Sequence, residues 1–235
     1  MVVTEFAELA STNDWMTDAA ASGADEGDWV RADCQTAGRG RRGRAWISPP
    51  GNLYASVLVR LRPTDPPAQQ LGFVAALALH ETLAAWVEPR RMQLKWPNDL
   101  LLDGRKLSGI LLERNGDAVI VGFGVNLAHY PTDVERPAIS LAEALGVSPA
   151  PQSALAALAE AWTRALALWR DAGFDAVRQH WLDRAHPVNT DLVARLADGE
   201  ELRGRFDGID EAGALRLRLA DGTMRLIHAA DIFAL

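Results

Sequence analysis

The sequence predicts an α+β protein in two parts, a mixed or antiparallel sheet with packed helices followed by a small C-terminal β barrel. Three observations carry this. Strand-like runs over 92–96, 106–113 and 118–127 follow one another closely, and Asp103-Gly104 and Asn115-Gly116 supply hairpin turns between them, which argues against a repeating βαβ array. Long helical patterns lie before and after that group. The pattern then changes at His186-Pro187, beyond which only short strand candidates remain, so the expected domains are 1–186 and 187–235.

Taken in order, 28–34 and 52–60 read as strands, rich in apolar and aromatic residues and bounded by Gly, Pro and Arg. The Pro-rich turn at 62–67 precedes a run over 68–87 that is helical in composition and apolar almost throughout, which predicts a buried helix. After the three clustered strands, helices are expected over 139–145, 153–170 and 174–185. The C-terminal strands at 191–196, 202–206, 215–219 and 224–228 are separated by Asp198-Gly199, the turn at 210–213 and Asp221-Gly222. So small a unit needs to pack on the larger domain to be stable. No internal repeat or low-complexity tract is found.

Whole-chain quantities set the function classes. With 235 residues, 49% of them hydrophobic and 23% charged, the chain can bury one substantial core plus a small second unit. Its net charge of -7 argues against broad binding to nucleic acid, so any anion is expected to be bound locally. One cysteine, Cys34, excludes an internal disulfide framework and fits a reducing compartment. The first residues lack the basic start and apolar run of a signal peptide, and no run approaches a membrane span, so the expected location is the cytoplasm.

Against this acidic background, the segment from Cys34 to Trp46 reads CQTAGRGRRGRAW, with four arginines and three glycines between Gly38 and Arg44. It lies between two strands and is therefore a loop whose glycines permit mobility or close approach to a ligand. A solvated basic loop is one reading. A nucleic-acid contact is a second, weakened by the acidic whole. A mobile clamp for a small polyanion is the third, since arginine offers bidentate geometry to phosphate and carboxylate and Trp46 an aromatic face for a base. Two further stretches favour the third. KWPND places Lys95, Asn98 and Asp99 at a strand end around Pro97, and RKLSGI puts Lys106 at the start of the next strand, within reach of Asn98 and Asp99. The glycines of Gly122-Phe123-Gly124-Val125-Asn126 are weak evidence alone.

Together, Ser11-Thr12-Asn13, the Gln35–Trp46 segment, KWPND, RKLSGIL and Gly122-x-Gly124-x-Asn126 resemble the biotin protein ligases over almost the whole large domain. The resemblance implies a biotin/lipoate ligase-like catalytic domain, with the C-terminal unit as the family's SH3-like domain. Some bacterial members carry an N-terminal helix-turn-helix. Only ten residues precede Ser11, so that domain is expected to be absent.

The implied activity joins biotin to ATP, with Mg²⁺, as biotinyl-5'-AMP and passes the biotinyl group to a lysine of a carboxylase carrier domain. No enzyme nucleophile is needed, which leaves Cys34 a structural residue. By position against the family, Ser11, Thr12, Asn13, Gln35, Arg39, Gly40, Arg41, Lys106, Gly109 and Gly122 are matched to biotin. Arg44, Trp46, Lys95, Asn98, Lys106 and Asn126 are matched to ATP, with Trp46 beside the adenine. Lys106 is the expected charge stabiliser and Arg41 the expected lid over the activated intermediate, while Asn98 and Asp99 guide Mg²⁺ or orient and deprotonate the acceptor lysine. Lipoate protein ligases share the chemistry but not the GRGRRGRxW and KWPND pairing, and a biotin-dependent regulator would need the DNA-binding segment. Expected partners are biotin, ATP and the carrier domain, with no nucleic acid or membrane, in a monomer or homodimer.

Overall fold

The computed structural model describes residues 1–134 and 137–234; positions 135, 136 and 235 of the two expected domains lie outside it. Strands β1 (Val3–Leu9), β2 (Trp29–Gln35), β3 (Leu53–Arg60), β4 (Met92–Lys95), β5 (Asp99–Leu102), β6 (Arg105–Asn115) and β7 (Ala118–Val125) form a seven-stranded sheet in the order β1-β2-β3-β7-β6-β5-β4. Only the β1–β2 pair is parallel, joined by helix α1 (Thr12–Ala21), so the sheet is mixed as expected. The hairpins sit where the turn residues put them: Asp103 and Gly104 both have positive φ, and Gly116 takes φ 62° between β6 and β7.

Helix α1 covers one sheet face, where Met16 and Ala20 pack on Val30, Leu58, Ala118 and Ile120. Helices α2 (Leu71–Leu83), α3 (Leu141–Leu145) and α4 (Pro151–Leu182) contribute to the larger core, with α2 and α4 packed against each other over the opposite face. Every residue of α2 except Glu81 is buried, in line with its uninterrupted apolar run. The helices expected over 153–170 and 174–185 are one run, α4, broken at Gly173, whose φ of 76° and ψ of -177° suit glycine.

The C-terminal strands β8 (Asp191–Arg195), β9 (Glu201–Ile209), β10 (Leu215–Arg218), β11 (Met224–Ile227) and β12 (Asp231–Ala234) form an antiparallel sheet ordered β11-β10-β9-β8-β12. This unit shares its core with the larger part: Phe206, Ile209, Leu215 and Leu217 belong to the same cluster as Phe73, Phe174 and Trp181. The Trp96 indole, buried between the two, donates from Nε1 to the Gly213 carbonyl at 2.9 Å. Four elements went unread in the sequence: β1, α1, β5 and β12.

Candidate active site

The cavity arises where the sheet loses side-chain bulk. On the face that α1 covers, cross-strand rows carry Leu58 and Ile120 under the helix. The next rows pair Ser56 with Gly122 and Gly122 with Leu111, and then Gly124 with Gly109. Glycine at these positions removes the layer that would fill the space, leaving a cavity of about 290 Å³ at the N-terminal end of α1. The glycines are sterically required. A Cβ on Gly122 would run into the Asn13 carboxamide, and one on Gly124 would lie 2.5 Å from the Trp46 indole.

One end of the cavity is a hydrogen-bonded polar wall. Ser11 caps α1, its hydroxyl accepting from the Asp14 amide, and so sets Thr12 and Asn13 at the start of the helix. The Thr12 backbone N–H donates to Gln35 Oε1 at 2.8 Å, and Gln35 Nε2 donates to Ser48 Oγ at 3.1 Å. Ser56, fully buried on β3, lies within 2.8 Å of Thr12 Oγ1 and 2.6 Å of Asn13 Oδ1. Asn13 Nδ2 donates to Glu113 at 2.7 Å. Arg39 is clamped on the same wall, with both guanidinium nitrogens on Asp14 at 2.7 and 2.5 Å and one on Glu113 at 3.3 Å. The Asp14 hydrogen bond raises the Arg39 pKa, and reciprocally Arg39 holds the Asp14 carboxyl below the usual carboxylate range.

The other end is cationic. Between β5 and β6 the register shifts, with Leu100 opposite Ser108 but Leu101 opposite Lys106, so Leu107 is an extra residue in β6. This bulge puts Lys106 on the same face as Gly109 while the Leu107 side chain enters the core. Lys106 Nζ pairs with Asp99 Oδ1 at 2.6 Å and lies 5.3 Å from the centre of the Trp46 ring. Asn98 is fixed by donating from Nδ2 to the Ile110 carbonyl at 2.7 Å, and its Oδ1 accepts from Arg41 at 3.4 Å. Burial lowers the Arg41 pKa, opposed by the Asp231 and Asp99 carboxylates. The Asn126 side chain braces the segment behind, donating to Ile139 O at 3.1 Å. Trp46 Nε1 is buried and has no hydrogen-bond partner among the described residues.

The sequence-predicted residues Ser11, Thr12, Asn13, Gln35, Arg39, Gly40, Arg41, Arg44, Trp46, Asn98, Asp99, Lys106, Gly109, Gly122 and Asn126 all line this one cavity. Lys95 does not. It is the cross-strand neighbour of Asp99 in the β4–β5 hairpin, and its ammonium lies 5.8 Å from the centre of the Phe233 ring of β12. Cys34 also lies off the cavity, on β2, where desolvation and Glu8 push its thiol up, as suits a structural residue. Sequence reading missed Ser56, Asp14, Glu113 and Asp231. Ser56 had a signal, the one small polar side chain in the apolar run of β3, whereas Asp231 comes from the far end of the chain and had none.

Comparison with known proteins places this geometry. Residues 6–126 match the profile of the biotin/lipoate A/B protein ligase family, and residues 193–235 match that of the biotin protein ligase C terminal domain. A biotin--[acetyl-CoA-carboxylase] ligase of Paracoccus denitrificans is 43% identical over 216 residues, covering 87% of this chain and 89% of that protein. The chain belongs to the biotin protein ligases. A second ligase of that name, from Mycobacterium tuberculosis, is 34% identical over 96% of this chain and 86% of its own length. Among solved structures, the Aquifex aeolicus biotin protein ligase in complex with biotin and ATP superposes with a TM-score of 0.88 at 25% identity, covering 100% of this chain and 99% of that one. These relatives match across both sheets, so the C-terminal unit is part of the family's ligase fold, and they favour the biotin reading over the lipoate one.

Proposed function

We propose that this chain activates biotin with ATP and transfers the biotinyl group to a lysine of a carboxylase carrier domain, working in the cytoplasm through a catalytic part over 1–186 and an SH3-like part over 187–235. One observation supports this above the others: a single cavity joins a polar wall, a glycine floor and a cationic end built around Lys106. The chemistry has two steps. A biotin carboxylate oxygen attacks the α-phosphorus of ATP and pyrophosphate leaves. The acceptor ε-amine, once deprotonated, then attacks the mixed-anhydride carbonyl and AMP leaves.

In this reading the wall of Ser11, Thr12, Asn13 and Gln35 takes the ureido ring, where fixed donors and acceptors confer selectivity. Gly109 and Gly122 keep the floor open to the bicycle, while Arg39 and Gly40 hold the side of the wall. Lys106 meets both the carboxylate and the α-phosphate and relieves their repulsion. Arg41 closes over the adenylate and excludes water. Trp46 with Asn126 borders the adenine, and the indole N–H is a donor available to it. Arg44 reaches the phosphates.

Mg²⁺ enters with ATP. Among the described residues no group of three or more His, Cys, Asp or Glu could hold an ion unaided. That fits a cation that keeps water and phosphate oxygens as most of its ligands. Asp99 and the Asn98 amide oxygen would hold it, and its charge would lower repulsion at the phosphates. In the second step of this reading the Asp99 carboxylate, buried beside Lys106, accepts a proton from the acceptor ammonium. Incubation with ATP, Mg²⁺, biotin and a carrier domain should add one biotinyl mass to the carrier. An unmodified carrier, or modification only when lipoate replaces biotin, would overturn the reading.

A further inference from the structure

The arginine loop is held at its tip by the C-terminal sheet. Asp231, the first residue of β12, lines the cavity and is largely buried, with 15% of its side chain exposed. One of its oxygens accepts from Arg44 at 2.9 Å and the other faces Arg42 at 3.7 Å. The Arg44 and Arg42 side chains remain 49% and 37% exposed, so each is open to solvent as well as turned toward the Asp231 carboxylate. Arg41, Lys106 and Asp99 adjoin them, and among the described residues cations outnumber carboxylates in this part of the cavity. A carboxylate bridging two arginines offers a pair of anionic oxygens to guanidiniums that bind phosphate oxygens in the same bidentate way.

We propose that Asp231 is an internal anion standing in the place of a polyphosphate: it holds Arg42 and Arg44 in the empty protein, yields them when the β- and γ-phosphates arrive, and takes them back as pyrophosphate departs. This rests on the adenylation reading and deepens it by assigning the C-terminal sheet a part in phosphate exchange. Asp231 touches no reacting atom and acts through the two arginines, so it is a positioning residue. The exchange swaps one ion pair for another and needs little reorganisation of the loop, because the guanidiniums are already gathered. Its direction follows from charge. One carboxylate loses to a polyanion at high concentration and recovers the arginines once that polyanion is diluted.

The test uses the full chain with inorganic pyrophosphate as the probe, in calorimetry at low and at moderate salt, for the wild type and for Asp231→Asn. Removing the competing carboxylate should tighten pyrophosphate binding by about threefold to tenfold, within the range of partly exposed ion pairs, and the gain should shrink as salt rises. Trypsin supplies a second reading, since Arg42 and Arg44 are cleavage points in an exposed segment. The ligand-free variant should be cut there faster than the wild type, and pyrophosphate should slow cutting in both. Equal or weaker pyrophosphate binding by a folded variant would overturn the exchange, as would a wild type that binds none. Biotinyl-AMP formation by the wild type, followed in parallel, separates that failure from failure of the adenylation reading.

Discussion

Arg39 and Arg44 belong to the same loop, yet they are held in opposite ways. Arg39 is gripped by Asp14 of α1 and Glu113 of β6, elements that already pack beside the cavity wall. Arg44 is gripped by Asp231 of β12, which reaches the cavity from the other sheet. The loop therefore has a stem fixed by its own neighbourhood and a tip whose position depends on a distant strand. Between them Arg41 is the most enclosed of the tip arginines and touches Asn98 of the KWPND turn. A polar stem suits a neutral ring that must be recognised, and a tip with exchangeable partners suits phosphates that must come and go.

The largest effect should fall at the residue both halves share. Lys106→Ala removes the cation paired with Asp99 and should slow adenylate formation by about 10²-fold or more, read as pyrophosphate release. Biotin binding should fall far less because the wall remains, and thermal unfolding provides the folding control. A variant that forms adenylate at the normal rate would make Lys106 a bystander.

Next, the two glycine positions should separate the halves. Gly124→Ala brings a methyl against the Trp46 ring and should weaken ATP binding on the order of tenfold while biotin binding holds. Gly122→Ala meets Asn13 instead and should do the reverse. Calorimetry with each ligand checks the pair, and a parallel loss of both ligands in either variant would erase the distinction between ends.

Arg41→Gly should leave adenylate formation within a few-fold of normal and lose its retention, since a guanidinium enclosed in the cavity is replaced by a mobile residue. Free biotinyl-AMP, and labelling of unrelated lysines, should rise several-fold. Slow synthesis without release would move Arg41 from lid to charge stabiliser.

The smallest change belongs to the stem. Asp14→Asn removes an ion pair that is about half exposed and should cost under about 1 kcal/mol of stability. Because Arg39 depresses the Asp14 pKa, the contribution is full above the unfolded value near 3.8 and is lost as pH falls through the lower folded value. Unfolding midpoints of wild type and variant should therefore converge in acid, and a gap that persists there would point to a purely steric effect.

What the sequence made legible follows from where each signal sits. The arginine loop, KWPND and RKLSGI each flank a strand end, so a local reading of turns sufficed to bring Lys106 near Asp99. The buried helix α2 was equally plain from its composition. Strand β1 escaped because it is an edge strand without a clean buried alternation, and β5 because Asp99 read as a turn residue rather than the first of four buried strand positions. Lys95 shares a motif and a cross-strand position with Asp99 but lies off the cavity, near the Phe233 ring, a placement that no local pattern encodes. Asp231 and Glu113 depend on long-range packing, which no local pattern encodes.

Trp46 gives the site an optical reporter. The chain has eight tryptophans, of which Trp29, Trp96, Trp162, Trp169 and Trp181 are buried in the core. Trp15 packs against Phe6 beside the core cluster under α1, and Trp86 lies just beyond α2. Trp46 alone of the eight lines the cavity, with an ammonium 5.3 Å from its ring centre and a buried indole N–H that has no hydrogen-bond partner among the described residues. Filling the cavity changes the polarity and the field at that one ring and leaves the others in place. The shift of its emission, isolated by comparison with Trp46→Phe, thus follows occupancy in real time without any label.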